Sequence, residues 1–231
     1  MTDEMVNRAS DRHRGRAPRE ESLTGPAKTI LRKIARLSMM GLRRGPGVSR
    51  YYMYRRLSGV LSDRGPGGRA LSISHSTRLC KSLGSGTVEV VEANYPDFDI
   101  LSLPFAADEF DYVVSDQVLQ HVAGSPLAAI EETRRVLKSG GWAVHTTCCV
   151  SRVSRDPGDF WRFTPEGLAL LCRNFSRIIE VGGWGNPYFW GVDLLGMRYD
   201  PVPETRWHPL HWIATRNRYD WPVATWIVAQ K

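Results

Sequence analysis

From Arg69 onward the chain alternates short apolar runs with amphipathic stretches. RALSIS (69–74) has the length and composition of a buried strand, and TRLCKSLG (77–84) those of a short helix closed by a glycine. TVEVVEA (87–93) is rich in β-branched residues, and a period of two puts Val88 and Val90 on one face. FDYVVS (110–115) predicts a further strand. Ser125 and Pro126 open a helix with an apolar stripe at Leu127, Ile130 and Leu137. Gly140-Gly141 stops that helix, because glycine turns tightly without strain. WAVHTTCCV (142–150) predicts another strand, Thr164-Pro165-Glu166 starts a helix reaching Cys172, and the stretches near 177–181 and 222–229 are the last strands. Strands and helices that alternate in this way predict an α/β fold, a mostly parallel sheet with helices on both faces.

The first quarter of the chain reads differently. Residues 1–24 are polar and charged, with too few large apolar groups to offset their ordering entropy, so the pattern predicts a disordered tail. Pro26 then opens a helix in which Ile30, Leu31, Ile34 and Leu37 recur at helical spacing between Lys28, Arg32, Lys33 and Arg36, and GPG at 45–47 ends it. The expected place of this helix is against the domain. The same pattern also suits a basic amphipathic helix lying on an anionic membrane surface. A second helix runs from Val48 to Leu61, and GPGG at 65–68 closes it. The chain thus divides into a tail (1–24), N-terminal helices (25–64) and an α/β domain (65–231).

A length of 231 residues suits one domain with an appendage. No apolar run is long enough to cross a bilayer and no signal-type stretch opens the chain, so the expected location is cytoplasmic, with peripheral membrane contact through the basic helix as the variant. Residues 1–50 hold 12 basic and 5 acidic side chains, and the remainder holds 19 of each. The neutral body argues against nucleic acid as the partner, as does the lack of an Asn/Asp-Pro-Pro-Tyr/Phe site for a flipped base. Cys80, Cys148, Cys149 and Cys172 form no CxxC pair and read as reduced thiols. No set of His, Asp or Glu has metal-ligand spacing, so no metal is expected.

The order DILSLPFAADEFDYVVSDQVLQHV (99–122) and then EETRRVLKSGGWAV (131–144) carries more information than any single motif. An acid precedes Leu-Pro-Phe, Phe-Asp opens a strand, a short helix ends in His-Val, and Arg-Val-Leu-Lys-Ser-Gly-Gly leads into the next strand. This closely resembles the class I methyltransferases of the methyltransferase type 11 group, and the likeness extends more loosely over residues 68–231. It implies a Rossmann-like sheet with an antiparallel C-terminal strand, and S-adenosylmethionine as cofactor. Glu92 and Asp99 are only seven residues apart, so the fold is shortened between the second and third strands. By the resemblance Asp99 accepts a hydrogen bond from the adenine amino group, Ile100 covers the adenine face, and Ser115, Asp116 and Gln117 lie near the methionine part. A turn-capping role also fits Asp99. Glu92, with Asn94 behind it, is the candidate for the ribose hydroxyls. The family's first motif is altered: where an acid and a Gly-x-Gly-x-Gly loop are usual, this strand ends in Ser74-His75-Ser76. Two readings follow, a compact enzyme that binds cofactor through a shorter loop, or a catalytically silent module that binds a partner.

The acceptor side is sought beyond the strand ending near Val150, where DPGDFWRFTPEGL (156–168) leads into a helix. The segment resembles the Trp-Arg-Phe/Tyr-Thr stretch of bacterial methyltransferases encoded with sugar and polysaccharide genes. That implies a small-molecule or glycan acceptor, methylated at oxygen. Trp161 and Phe163 are candidates to stack on a sugar face, Arg162 to bind polar groups, and Asp159 to act as the base, with His121 as the next candidate. Equally, Trp161 and Phe163 fit a loop anchored to the core, with Arg162 paired to a carboxylate. His145, in mid-strand, reads as a core residue. The aromatic residues of 184–221 fit either a wall over the site or interior packing.

Overall fold

The computed structural model describes residues 25–62, 67–82, 88–154 and 158–231. The expected tail, Gly65-Pro66, Gly84 and Asp156-Pro157 lie outside the described residues.

The chain runs α1 (Pro26–Leu37), β1 (Arg44–Gly47), α2 (Val48–Ser62), β2 (Gly68–Ile73), α3 (Thr77–Ser82), β3 (Val88–Ala93) and β4 (Phe110–Asp116). A 3-10 turn at Leu119–His121 leads to α4 (Pro126–Val136), β5 (Leu137–Cys148), α5 (Pro165–Leu171) and β6 (Arg177–Trp184). Then come α6 (Phe189–Leu194), β7 (Pro201–Pro203), α7 (Pro209–Thr215) and β8 (Ala224–Gln230). Six strands form one sheet in the order β3-β2-β4-β5-β8-β6. β3, β2, β4 and β5 are parallel, and β8 runs antiparallel to both β5 and β6. This is the expected mostly parallel sheet with an antiparallel C-terminal strand. Between β3 and β4 there is no helix, only a single bridge from Asp99 to Ser102.

Side chains alternate across the sheet, so two cores form. Val114, Val144 and Val228 face one side, with Tyr51, Met53, Leu57 and Trp184. Val113, Ala143 and Ile227 face the other, with Ile130, Phe163 and Leu168. The helix starts follow the sequence signals: Ser125 Oγ accepts from Ala128 N (3.3 Å) and Thr164 Oγ1 from Gly167 N (3.1 Å).

Two expectations change. Leu137 does not end α4. It opens β5 by pairing with Phe110, and the two glycines bend that strand instead of stopping a helix. Gly140 is left-handed (φ 78°), and a Cβ on Gly141 would lie 2.9 Å from the Lys138 carbonyl oxygen. The second change concerns α1, whose apolar stripe points away from the domain: Ile30, Leu31, Ile34 and Leu37 are 54–63% exposed.

From β2 the chain steps to β3 on one side and then to β4 on the other. The strand order reverses there, which opens a crevice beyond the C-terminal ends of β2 and β4.

Candidate active site

At the end of β2 the chain turns through Ser74 (φ 50°) and His75 (φ 63°), both in the left-handed region. Side chains normally cost about 1 kcal/mol or more there, which is why glycine is usual. A hydrogen-bonded brace holds the turn. Ser74 N donates to Ala93 O (2.9 Å) and His75 N to Asn94 Oδ1 (2.7 Å). Asn94 Nδ2 in turn donates to Glu92 Oε2 (3.0 Å), and Thr77 Oγ1 to Glu92 Oε1 (2.8 Å). Hydrogen bonds from Asn94 and Thr77 hold the Glu92 carboxyl below the usual carboxylate range. Gln117, just past β4, is left-handed too (φ 61°) and is tied by its N–H to Thr146 O (2.9 Å). Three of the four left-handed non-glycine residues among those described thus lie at the crevice, the fourth being Asp108 before β4.

Two cavities open there. The larger, about 600 Å³, is lined by Ser74, His75, Phe98, Asp99, Ile100 and Gln117 together with Val118, His121 and Phe160. Asp99 Oδ1 accepts from Leu101 N (2.9 Å), the turn-capping bond, which leaves Oδ2 as the acceptor open to a ligand. The smaller cavity, about 230 Å³, is lined mainly by polar groups, among them Arg50, Asp116, Gln120, Arg152, Asp159 and Arg198. Gln117 and His121 line both. His121 Nδ1 lies 2.7 Å from the Gly158 carbonyl oxygen. A carbonyl only accepts, so Nδ1 is the donor in this contact, and Nε2 is the ring nitrogen left facing the cavities.

Other candidates take structural places. Ser76 is buried; its Oγ donates to Ile73 O (2.5 Å) and accepts from Asp116 N (2.7 Å). Ser115 is buried against His145 Nδ1 (2.8 Å). His145 is enclosed, and burial pushes it down to about 4. Asp116 accepts from Tyr54 Oη (2.5 Å), Arg50 Nε (2.8 Å) and Thr146 Oγ1 (2.6 Å), so it locks α2 onto the end of β4. Burial first, and then Asp116, push the Tyr54 hydroxyl above its usual range. Glu92 lines neither cavity and acts on the loop.

The 158–163 segment is anchored at several points, although Phe160 and Trp161 remain exposed. Asp159 is paired with Arg162 and accepts from Ser154 N (2.7 Å). Burial pushes its carboxyl up, but Arg162 and the Ser154 amide outweigh that and hold it below the usual range, which makes it a poor base. Trp161 Nε1 donates to Val122 O (2.9 Å), its ring stacks on Phe163, and Phe163 is buried in the core. Trp161, Arg162 and Phe163 line neither cavity; the neighbouring Phe160 does. The aromatics of 184–221 do not wall the site either. Trp184 and Phe189 are core, and among the tyrosines only Tyr199 reaches the smaller cavity. Arg50 and Arg198 carried no signal in the sequence, because α2 and the turn after α6 bring them in from far along the chain.

Among the described residues no group of three or more His, Cys, Asp or Glu is placed to hold a metal ion. The cysteines are free, and burial raises Cys80 to about 11 and Cys172 to about 12.

Residues 56–145, somewhat under half of the chain, match the family described as methyltransferase domain. Over that stretch the chain is similar to methyltransferase domains. The fold is shared with phosphoethanolamine N-methyltransferase 2 of Haemonchus contortus, solved with S-adenosyl-L-methionine: TM-score 0.52, 15% identity, 78% of this chain and 52% of that one. The same enzyme with phosphomonomethylethanolamine and S-adenosylhomocysteine gives TM-score 0.51 at 15% identity and the same coverage. This chain therefore spans about half the length of that methyltransferase. In sequence, 76 residues are 36% identical to an uncharacterized 37.1 kDa protein in transposon TN4556 of Streptomyces fradiae, over 33% of this chain and 22% of that one. The larger cavity lies at the strand switch point and is within the usual 300–1,000 Å³ of small-molecule sites. Ile100 and Phe98 offer apolar faces for a purine, and Asp99 Oδ2 an acceptor for its amino group.

Proposed function

We propose that the chain is an S-adenosylmethionine-dependent methyltransferase that acts on a hydroxyl of a small polar molecule or glycan, with His121 as the base. The observation that carries this reading is an imidazole nitrogen, without a partner among the described residues, set where the two cavities meet. Bound in the larger cavity, S-adenosylmethionine supplies an electrophilic methyl group. The protein supplies position and a proton acceptor. The Gly158 carbonyl fixes the His121 ring, and Nε2 has no hydrogen-bond partner among the described residues. Phe160, Val118 and Val122 line the same cavity with apolar surface. On the acceptor side, Arg152, Arg198, Gln120 and Ser151 offer donors that suit a hydroxyl-rich molecule, and a cavity of about 230 Å³ admits one sugar-sized group better than a polymer surface. The Trp-Arg-Phe-Thr stretch at 161–164 supports a glycan-related acceptor by resemblance.

The test is release of S-adenosylhomocysteine from the full chain, followed by mass spectrometry, with matched sugars carrying free, deoxy or amino groups. Turnover that requires the hydroxyl is expected. Turnover only with amino acceptors would overturn oxygen as the target, and absence of S-adenosylhomocysteine binding by calorimetry would overturn the cofactor site.

A further inference from the structure

The helix α1 is built inside out. Lys28, Arg32, Ala35 and Met39 lie on the face turned toward the domain, whereas Ile30, Ile34 and Leu37, with Leu31 beside them, face away and are 54–63% exposed. The helix is not loose in this position. Arg36 makes a two-point ion pair with Asp200 (2.8 Å for each bond), Ser38 Oγ lies 3.1 Å from His208 Nε2, Ala35 touches the core and Met39 is buried. Ion pairs and short contacts therefore hold the polar face inward and present the apolar stripe to the outside. Water alone gives no reason for that orientation, since turning the helix would bury four large apolar side chains.

The charge is in the same place. Residues 25–50 hold seven basic side chains and no acidic one, while residues 1–24 balance five against five. The whole excess of +7 thus falls within residues 25–50, four of the seven basic side chains (Lys28, Arg32, Lys33 and Arg36) being on α1, and residues 1–24 carry none of it. Lys28, Lys33 and Arg44 have no acidic partner among the described residues. Residues 1–24 offer only Met1, Met5, Val6 and Leu23 as larger apolar side chains, a poor match for the stripe. An apolar stripe flanked by unneutralised lysines is complementary to a bilayer surface with negative headgroups. Beyond the end of α1, Met40 (70% exposed) and Trp207 (73%, next to the His208 that meets Ser38) add side chains suited to the headgroup boundary.

We infer that α1 docks the enzyme onto an anionic membrane surface. The inference does not depend on which acceptor is methylated. The test is co-sedimentation of the full chain with phosphatidylcholine vesicles, with and without phosphatidylglycerol, at low and high salt. Binding is expected to the anionic vesicles only and to weaken with salt. Replacing Ile30 and Ile34 together by serine should lower the partition coefficient by about tenfold or more. Replacing Lys28 and Lys33 by glutamine should lower it by roughly tenfold, most clearly at low salt. Because these side chains are exposed or half-buried, melting curves should stay where they are. Equal binding to neutral vesicles, or none to either, would overturn the inference. So would a dimer in solution that Ile34→Ser dissolves, which would assign the stripe to a second copy of the chain.

Discussion

Changing His121 to Asn separates the two jobs of that ring. The asparagine Nδ2 sits close to where imidazole Nδ1 does, so it can still donate to the Gly158 carbonyl across the present 2.7 Å contact. The loop anchor is therefore kept, and a bond of this kind contributes about 1 kcal/mol. What disappears is Nε2 at the junction of the cavities. Loss of a positioned base typically slows the chemical step by about 10²–10⁴, or roughly 3–5 kcal/mol of barrier. His121→Gln is the complement: its amide reaches the Nε2 position but gives up the Gly158 bond, so it should lose both the rate and about 1 kcal/mol of stability. The assay is single-turnover methyl transfer at saturating S-adenosylmethionine, with calorimetric cofactor affinity and melting curves on the same samples. The Asn variant should bind cofactor as the parent does, melt at the same temperature and turn over at least about a hundredfold more slowly. A folded Asn variant with parental turnover would remove His121 from the chemistry and leave positioning as the whole of catalysis.

Asp99→Ala should weaken cofactor binding about tenfold with little change in melting temperature, because Oδ2 is the open acceptor in the larger cavity; an unchanged dissociation constant would leave Asp99 as a turn residue only. His145 is held neutral, with its pKa lowered from 6.5 to about 4 by burial, so the unfolded chain takes up the proton first as pH falls. Its contribution is complete above about pH 6.5 and is lost as pH falls toward 4, an effect of roughly 3 kcal/mol that His145→Gln should remove from the pH dependence of denaturant midpoints. Trp161→Phe keeps the ring on Phe163 but deletes the bond to Val122 O, so a loss of about 1 kcal/mol with turnover largely retained is expected; a collapse of kcat in a stable Phe variant would return Trp161 to the acceptor site.

Periodicity and punctuation were enough for the strands of the large sheet and for α3, α4 and α5, since a buried strand and an amphipathic helix each impose their own spacing on the chain, whereas α6, β7 and α7 within 184–221 were not read. Ser125 and Thr164 announced their helices, because a cap is a local bond between neighbours. Asp99, Gln117 and His121 stand in one compact stretch of sequence, which the structure lays along the larger cavity. What is decided over distance was not readable. Thr77, Glu92 and Asn94 brace a left-handed turn that looks, in sequence, like a lost glycine motif. Asp159 is paired with Arg162 and Trp161 lies against Phe163, contacts that neither residue announces on its own. Arg50 meets Asp116 across 66 positions of sequence. The pattern of α1 contains its apolar stripe but not which way the stripe points; that depends on Asp200 and His208, which close the helix onto the domain from the far end of the chain. Local spacing fixes which face of an element is apolar, whereas only the assembled neighbours determine what that face meets.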